Sequence, residues 1–95
     1  MSKYVFLFYG QSEPTADVMT AWHEWFTSIG DSIVDSGNPF GPGREVTSAG
    51  GTDLTADMDP ATGYSIVSAD SLDEAEKLLV GCPAATARVF EAMPM

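Results

Sequence analysis

The sequence predicts an α+β fold with the element order β-α-β-β-α-β. Two observations predict the ends of this order, namely the apolar run YVFLFY followed by a helical stripe of tryptophans, and a capped second helix followed by the short segment RVFEAM. A third is the pair of β-rich segments between the helices, separated by glycine- and proline-rich turns. This order is typical of the ferredoxin-like arrangement, a four-stranded antiparallel sheet with both helices on one face.

The first strand, residues 4–9, is apolar on both faces. It ends at Gly10, and alternate side chains of a strand point to opposite sides of the sheet. A sheet that carries helices on one face normally has a polar outer face, so a second layer is expected here. Another copy of the chain can supply it, which predicts a homodimer with two sheets face to face, a closed or nearly closed barrel-like dimer. The two faces of the strand carry Tyr4, Phe6 and Phe8, and Val5, Leu7 and Tyr9.

The first helix is predicted to begin at Ser12-Glu13-Pro14, since proline is favoured in a first turn. It is expected to run to about Ile29 and to stop at Gly30, a residue suited to the position after a helix. His23 lies beside the apolar stripe, on the flank that also carries Met19 and Phe26. The central stripe of this helix consists of Val18, Trp22, Trp25 and Ile29.

The middle of the chain is predicted to contain a second strand from Ser32 to Asp35. The segment Arg44–Thr47 either resumes this strand or starts another one. Residues 48–62 are polar, acidic and contain glycine, so they are expected to form a mobile hairpin excursion.

The last third of the chain is predicted to hold a strand, a helix and a final strand. The strand covers Gly63–Ala69, and Ser71 with Glu74 forms a capping box that starts the helix. Gly81 is expected to end the helix, and Arg88–Met93 is the final strand. The apolar face of this helix is predicted to carry Leu72, Ala75, Leu78 and Leu79. The whole chain, residues 1–95, is predicted to be a single domain.

Charge and cysteine usage narrow the classes of partner. The chain has four basic and fourteen acidic residues, a net charge of −10, whereas nucleic acids and anionic membranes attract clustered Lys and Arg. No segment approaches the ~20 apolar residues of a membrane span. Cys82 is the single cysteine, so an internal disulfide is impossible and a reducing compartment, the cytoplasm, is expected. Neither nucleic acid nor a membrane is therefore predicted as a partner.

No cofactor and no metal are predicted. One histidine and one cysteine, far apart in sequence, do not make a closed zinc site. The acidic segment from Asp53 to Asp59 lacks the twelve-residue calcium pattern and its closing glutamate. The glycines of Gly41-Pro42-Gly43 precede a predicted strand and not a helix N-terminus, so they do not form a phosphate-binding loop.

Three stretches carry a resemblance to known proteins: AWHEWFTSIGDSIVDSGNPFG, GYSIVSADSLDEAEKLLVGCP and the closing EAMPM. In these stretches, and over nearly its whole length, the chain resembles the YCII-related family of small bacterial proteins. The resemblance implies a dimeric α/β barrel, and a few related proteins act on small aromatic or lactone compounds. It also implies an acid–base pair of an aspartate and a first-helix histidine. Alignment on Gly37 places Thr20 at that histidine position and alignment on the helix stripe places Trp22 there, so His23 departs from the pattern.

The stretch IVDSGNPFGPG is the candidate site, and it admits two interpretations. In one, Asp35 only caps backbone amides of its own turn and Phe40 plugs the edge of a dimer. In the other, Asp35 lies in a cleft near His23, where the two exchange a proton with a small cyclic substrate, in an isomerase or lyase type of reaction. The residues predicted to bind a ligand in that cleft are Tyr9, Trp22, Phe26, Asn38 and Phe40.

Two functions remain open from the sequence. One is a module that binds a small aromatic or cyclic molecule, and the other is an enzyme in which His23 and Asp35 are catalytic. An enzyme of this kind would bring both residues within hydrogen-bond reach of one ligand.

Overall fold

The computed structural model describes residues 1–10 and 15–95 and confirms the predicted α+β fold. The predicted start of the first helix, Ser12–Pro14, lies outside the described residues. The elements in chain order are β1 (Ser2–Tyr9), α1 (Ala16–Ser28), β2 (Ile33–Asp35), β3 (Arg44–Thr47), β4 (Gly50–Asp53), β5 (Gly63–Ala69), α2 (Leu72–Lys77) and β6 (Thr86–Ala92).

Four of the strands form one antiparallel sheet in the order β2-β5-β1-β6. β1 and β5 are therefore central, and β2 and β6 are the edges. In the register, Phe6 lies opposite Ser65 on one side and Val89 on the other. Each connection through a helix skips one strand, which is the split β-α-β order that the sequence predicts.

The core lies between this sheet and the helices. Of the two apolar faces of β1, the one that carries Tyr4, Phe6 and Phe8 is buried in this core. Trp25 packs against this face, with its ring centroid 6.3 Å from that of Phe6. Its indole N–H donates a 2.8 Å hydrogen bond to the carbonyl of Leu78, just after α2. One side chain thus joins both helical regions to the sheet.

The opposite side of the sheet, here called the open sheet face, is apolar and partly exposed. No part of the described chain forms a layer over it, and Phe90 at its edge is 52% exposed. Its apolar residues are Val5, Leu7 and Tyr9 on β1, Tyr64 and Ile66 on β5, and Phe90 on β6.

Each helix begins directly after a residue whose side chain caps its N-terminus. Thr15 caps α1 by accepting a hydrogen bond from the N–H of Val18, and Ser71 caps α2 by accepting one from Glu74. The carboxylate of Glu74 binds Lys77 at 3.0 Å, so the reciprocal half of the predicted capping box does not form. No helix in the described part of the chain has the length and apolarity needed to cross a membrane.

The predicted apolar face of the second helix is wrong at Leu72. Ala75 is fully buried and Leu78 and Leu79 are half-buried against the core, but Leu72 is 52% exposed. The reason is length: α2 ends at Lys77, after fewer than two turns, and its first residue lies beyond the edge of the core.

Arg44–Thr47 starts a new element, since β3 does not resume β2 but pairs only with β4. All eight residues of these two strands are exposed, so the pair is a hairpin arm beside the main sheet. An exposed ion pair joins Arg44 to Asp53 at 2.8 Å across its base. The expected mobility of residues 48–62, which include the outer strand of the arm, stays a prediction.

Candidate functional site

A cleft of about 810 Å³ lies at the C-terminal end of β1. It is enclosed by α1, by the loop after β2, by the start of β5 and by the segment after α2. Its lining consists of Phe8, Tyr9, Gly10, Met19, Trp22, Phe26, Ser36, Gly37, Asn38, Pro39, Phe40, Thr62, Gly63, Tyr64, Pro83, Ala84 and Ala85.

One wall of the cleft is a cluster of aromatic rings from β1 and α1. Trp22 packs edge-on against Phe8, with centroids 5.1 Å apart, and contacts Phe26 at 5.9 Å. Met19, Trp22 and Phe26 follow each other at intervals of three and four residues, which places them on one side of α1. This side of the helix therefore presents aromatic surface to the cleft.

A second pair of aromatic residues in the lining comes from the loop after β2 and from β5. Phe40 stacks on Tyr64 with centroids 5.6 Å apart and ring planes 17° from parallel. The pair remains partly exposed, with Phe40 at 45%. An offset stack of this kind is a favourable arrangement for two rings, so these rings hold each other in place at the rim.

The loop after β2, which carries Phe40, is held in place by a close approach of backbone atoms at Gly37. This residue has φ +80°, and a Cβ atom here would lie 1.7 Å from the carbonyl oxygen of Tyr64. Only glycine fits such an approach in this conformation. Two hydrogen bonds join the loop to β5, from Ser65 Oγ to Ser36 O at 2.7 Å and from Tyr64 N to Asn38 O at 3.3 Å, and a third runs from Phe40 N to the carbonyl of Thr62, just before β5, at 2.9 Å.

The carboxylate of Asp35 makes two hydrogen bonds at the start of this loop. One oxygen accepts from the N–H of Gly37 at 2.8 Å, and the other accepts from the hydroxyl of Tyr64 at 3.4 Å. Asp35 itself is exposed and does not belong to the described lining. It contacts the cleft through Tyr64, which does.

His23 lies on the exposed side of α1, and the described lining does not include it. Among the described residues it makes no hydrogen bond or ion pair with Asp35. The expected cleft shared by these two side chains is therefore not formed as the sequence predicted. The catalytic role of the two residues stays a prediction that no observation tests.

The residues predicted to bind a ligand are brought together by the fold. Tyr9, Trp22, Phe26, Asn38 and Phe40 all line the cleft, although whether they bind a ligand stays a prediction. Trp25, on the same helix, is instead buried in the core. Sequence reasoning did not place Phe8, Tyr64 and residues 83–85 in the lining. The inward alternation of β1 could have indicated Phe8, but no local signal marks 83–85.

The described lining carries no charged side chain. A basic group beside it is Arg88, whose guanidinium carbon lies 4.8 Å above the ring of Tyr9. No group of three His, Cys, Asp or Glu residues within the described ranges could hold a metal ion. A second concavity, of about 480 Å³ at the base of the hairpin arm, lacks aromatic residues and is bordered by the exposed Arg44–Asp53 pair.

Cys82 precedes the 83–85 segment of the lining and is half-buried. Burial raises the pKa of its thiol, against a smaller opposing effect of a backbone hydrogen bond from Ala84. Since the thiolate is the reactive form, we expect Cys82 to react with Ellman's reagent more slowly than glutathione at pH 8. The measurement is the reaction rate between pH 7.5 and 10, where an inflection below that of glutathione would contradict the expectation.

Comparisons with known proteins find a solved structure with the same fold but no matching family model. No protein-family model matches the chain, and no curated protein matches it. A solved structure with the same fold is 5-chloro-2-hydroxyhydroquinone dehydrochlorinase from Burkholderia phenoliruptrix, in complex with 2,5-dihydroxybenzoquinone. The TM-score is 0.52 at 16% sequence identity, and the match covers 96% of this chain and 93% of the other. At this identity the likeness shows a common fold.

Proposed function

We propose that this chain binds a small aromatic or cyclic molecule in the cleft at the end of β1. The observation that carries the proposal is the pair of aromatic surfaces, Trp22 with Phe26 and Phe40 with Tyr64, around about 810 Å³ of space. Small-molecule sites are typically clefts of ~300–1,000 Å³ with mostly apolar and aromatic walls and a few polar groups. The amide of Asn38 is one such polar group of the lining.

Two further points support this proposal. The structural relative with the same fold is described as a complex with a cyclic quinone. The loop that carries Phe40 is joined to β5 by hydrogen bonds, so this part of the cleft is formed before any ligand enters. A preformed wall reduces the entropy lost on binding.

The catalytic alternative, isomerase or lyase chemistry by His23 and Asp35, has less support. An acid–base pair must reach the proton that it transfers, and neither side chain belongs to the described lining. We therefore favour binding over catalysis.

The proposal predicts that an uncharged aromatic compound perturbs Trp22 and leaves Trp25 nearly unchanged. Trp22 lines the cleft, whereas the Trp25 indole is buried and bonded to Leu78. Titration with 2-methoxynaphthalene, followed by the two indole N–H signals in 1H–15N NMR spectra, measures this directly. Trp22→Ala should abolish binding, followed in the same spectra by the backbone N–H signal of Asn38 in the lining, and Val46→Ala on the hairpin arm is the control that should not affect it. Equal shifts of both indoles, or none at millimolar compound, would refute the proposal.

We further propose that the chain is a homodimer through the open sheet face, as in a dimeric α/β barrel. The support is the partly exposed row of Val5, Ile66 and Phe90 across that face, which a second sheet would cover, while Tyr9 and Tyr64 lie at its end beside the cleft. We also propose that the chain belongs to the YCII-related family, that residues 1–95 form a single domain, and that the protein is cytoplasmic.

Light scattering is expected to give a mass near twice 10.1 kDa at micromolar concentration. Phe90→Glu should shift it toward the monomer, because the new charge would be buried in the interface. Val46→Glu, on the exposed arm, should leave the mass unchanged. A monomeric mass for the unmodified chain would rule out the dimer.

A further inference from the structure

The hydroxyl of Tyr64 is the polar group that distinguishes one rim of the cleft. Its ring is held by the stack on Phe40, and the hydroxyl donates a long hydrogen bond of 3.4 Å to Asp35. The other oxygen of Asp35 is held by the N–H of Gly37 at 2.8 Å. The ring is therefore packed on one side by Phe40, and one oxygen of the carboxylate is held by the loop backbone.

This arrangement offers hydrogen-bond acceptors and no donor. A phenol has one proton, and the Tyr64 proton points to Asp35, so the hydroxyl oxygen presents its lone pairs to other groups. The carboxylate of Asp35 is itself an acceptor only. A ligand group that approaches the Tyr64 hydroxyl gains a hydrogen bond there only if it donates one, whereas the amide of Asn38 elsewhere in the lining can also donate.

The charges around the cleft disfavour an anion. The four basic residues of the chain are Lys3, Arg44, Lys77 and Arg88, and none belongs to the described lining. Arg88 is engaged over the ring of Tyr9. With a net charge of −10, the surrounding field repels negative ligands.

Resting on the function proposed above, we infer that Tyr64 and Asp35 select neutral aromatic ligands carrying an O–H or N–H donor over anionic ones. Tyr64 is the specificity-determining residue, since its oxygen accepts a hydrogen bond from the ligand. Asp35 is a positioning residue that orients the hydroxyl.

The test compares three ligands of nearly the same shape: 2-naphthol, which donates a hydrogen bond, 2-methoxynaphthalene, which does not, and the 2-naphthoate anion. Binding is followed by the indole signal of Trp22 in the unmodified chain and in Tyr64→Phe, Asp35→Asn and Arg88→Gln. We expect 2-naphthol to bind about three- to ten-fold more tightly than 2-methoxynaphthalene, the contribution of one hydrogen bond. The anion should bind most weakly.

The variants separate this inference from its rivals. Tyr64→Phe keeps the ring and should remove the preference for 2-naphthol without weakening 2-methoxynaphthalene. Asp35→Asn should reduce that preference and improve 2-naphthoate, because an acceptor becomes a donor. Equal binding of the two neutral compounds to the unmodified chain overturns the inference alone. Tight 2-naphthoate binding that is lost in Arg88→Gln overturns it in favour of anion recognition. If none of the three compounds shifts Trp22, the proposed function fails as well.

Discussion

Replacing Gly37 by alanine is expected to lower the free energy of unfolding by at least about 2 kcal/mol and to disrupt the cleft. The residue has φ +80°, a conformation that costs a side chain energy, and the new Cβ would lie 1.7 Å from the carbonyl oxygen of Tyr64. Because that oxygen belongs to the backbone of a central strand, the loop has to move instead. The stack of Phe40 on Tyr64 would then separate.

The same loop offers a matched control at Gly41. A Cβ at this position meets no atom within 4 Å, and its φ lies outside the left-handed region. Gly41→Ala should therefore change stability by no more than about 0.5 kcal/mol. Urea unfolding of both variants gives the difference, and titration with 2-methoxynaphthalene reports the cleft. Similar unfolding midpoints for the two variants would show that the loop is not held against β5.

The fold could be predicted because its signals are local and agree with one another. The two-residue alternation of YVFLFY identified Tyr4, Phe6 and Phe8 as one face, and these residues are buried. The three-to-four-residue spacing of Trp22 and Trp25 gave one helix. With the order of the elements known, the split β-α-β rule leaves few topologies for the sheet.

The hairpin arm could not be predicted from its sequence. Arg44–Thr47 has one apolar residue, Val46, which is 74% exposed. A strand buries an alternating face only when a sheet packs against it, so the pattern gave no evidence of a partner. In the structure β3 pairs with β4 through a tight turn that ends at Gly50, whose φ is +124°.

The candidate site could also be predicted only in part. Side chains that line the cleft were found from the face of the helix on which they lie, as for Trp22 and Phe26. His23 was selected for its chemistry, but it points to the exposed side of α1. Tyr64 was passed over because nothing in GYSI marks it, and its contact with Asp35 joins residues 29 positions apart. Chemical type identifies candidates, and only the three-dimensional arrangement says which of them meet.

Phe6→Ala is expected to be among the most destabilising single substitutions in the core. Phe6 is fully buried on the central strand, between the rings of Phe8 and Trp25. Loss of a buried phenylalanine costs about 3–5 kcal/mol, since the transfer free energy is lost and a cavity is left behind. A domain of this size has a total stability of roughly 5–14 kcal/mol. The variant should consequently be partly unfolded, or unfold at much lower urea concentration.

Phe90→Ala is the matched control, because it removes the same side chain from the other face of the same sheet. Phe90 lies opposite Val5 and is 52% exposed, so little apolar area is lost within one subunit. Its free energy of unfolding, measured on the monomer at high dilution, should change by less than about 1 kcal/mol, as is usual for a partly exposed side chain. At micromolar concentration the same variant should weaken the proposed dimer, since the ring then leaves a gap between two sheets. If Phe6→Ala and Phe90→Ala were equally destabilising at high dilution, the helices would not be packing on the face that carries Phe6.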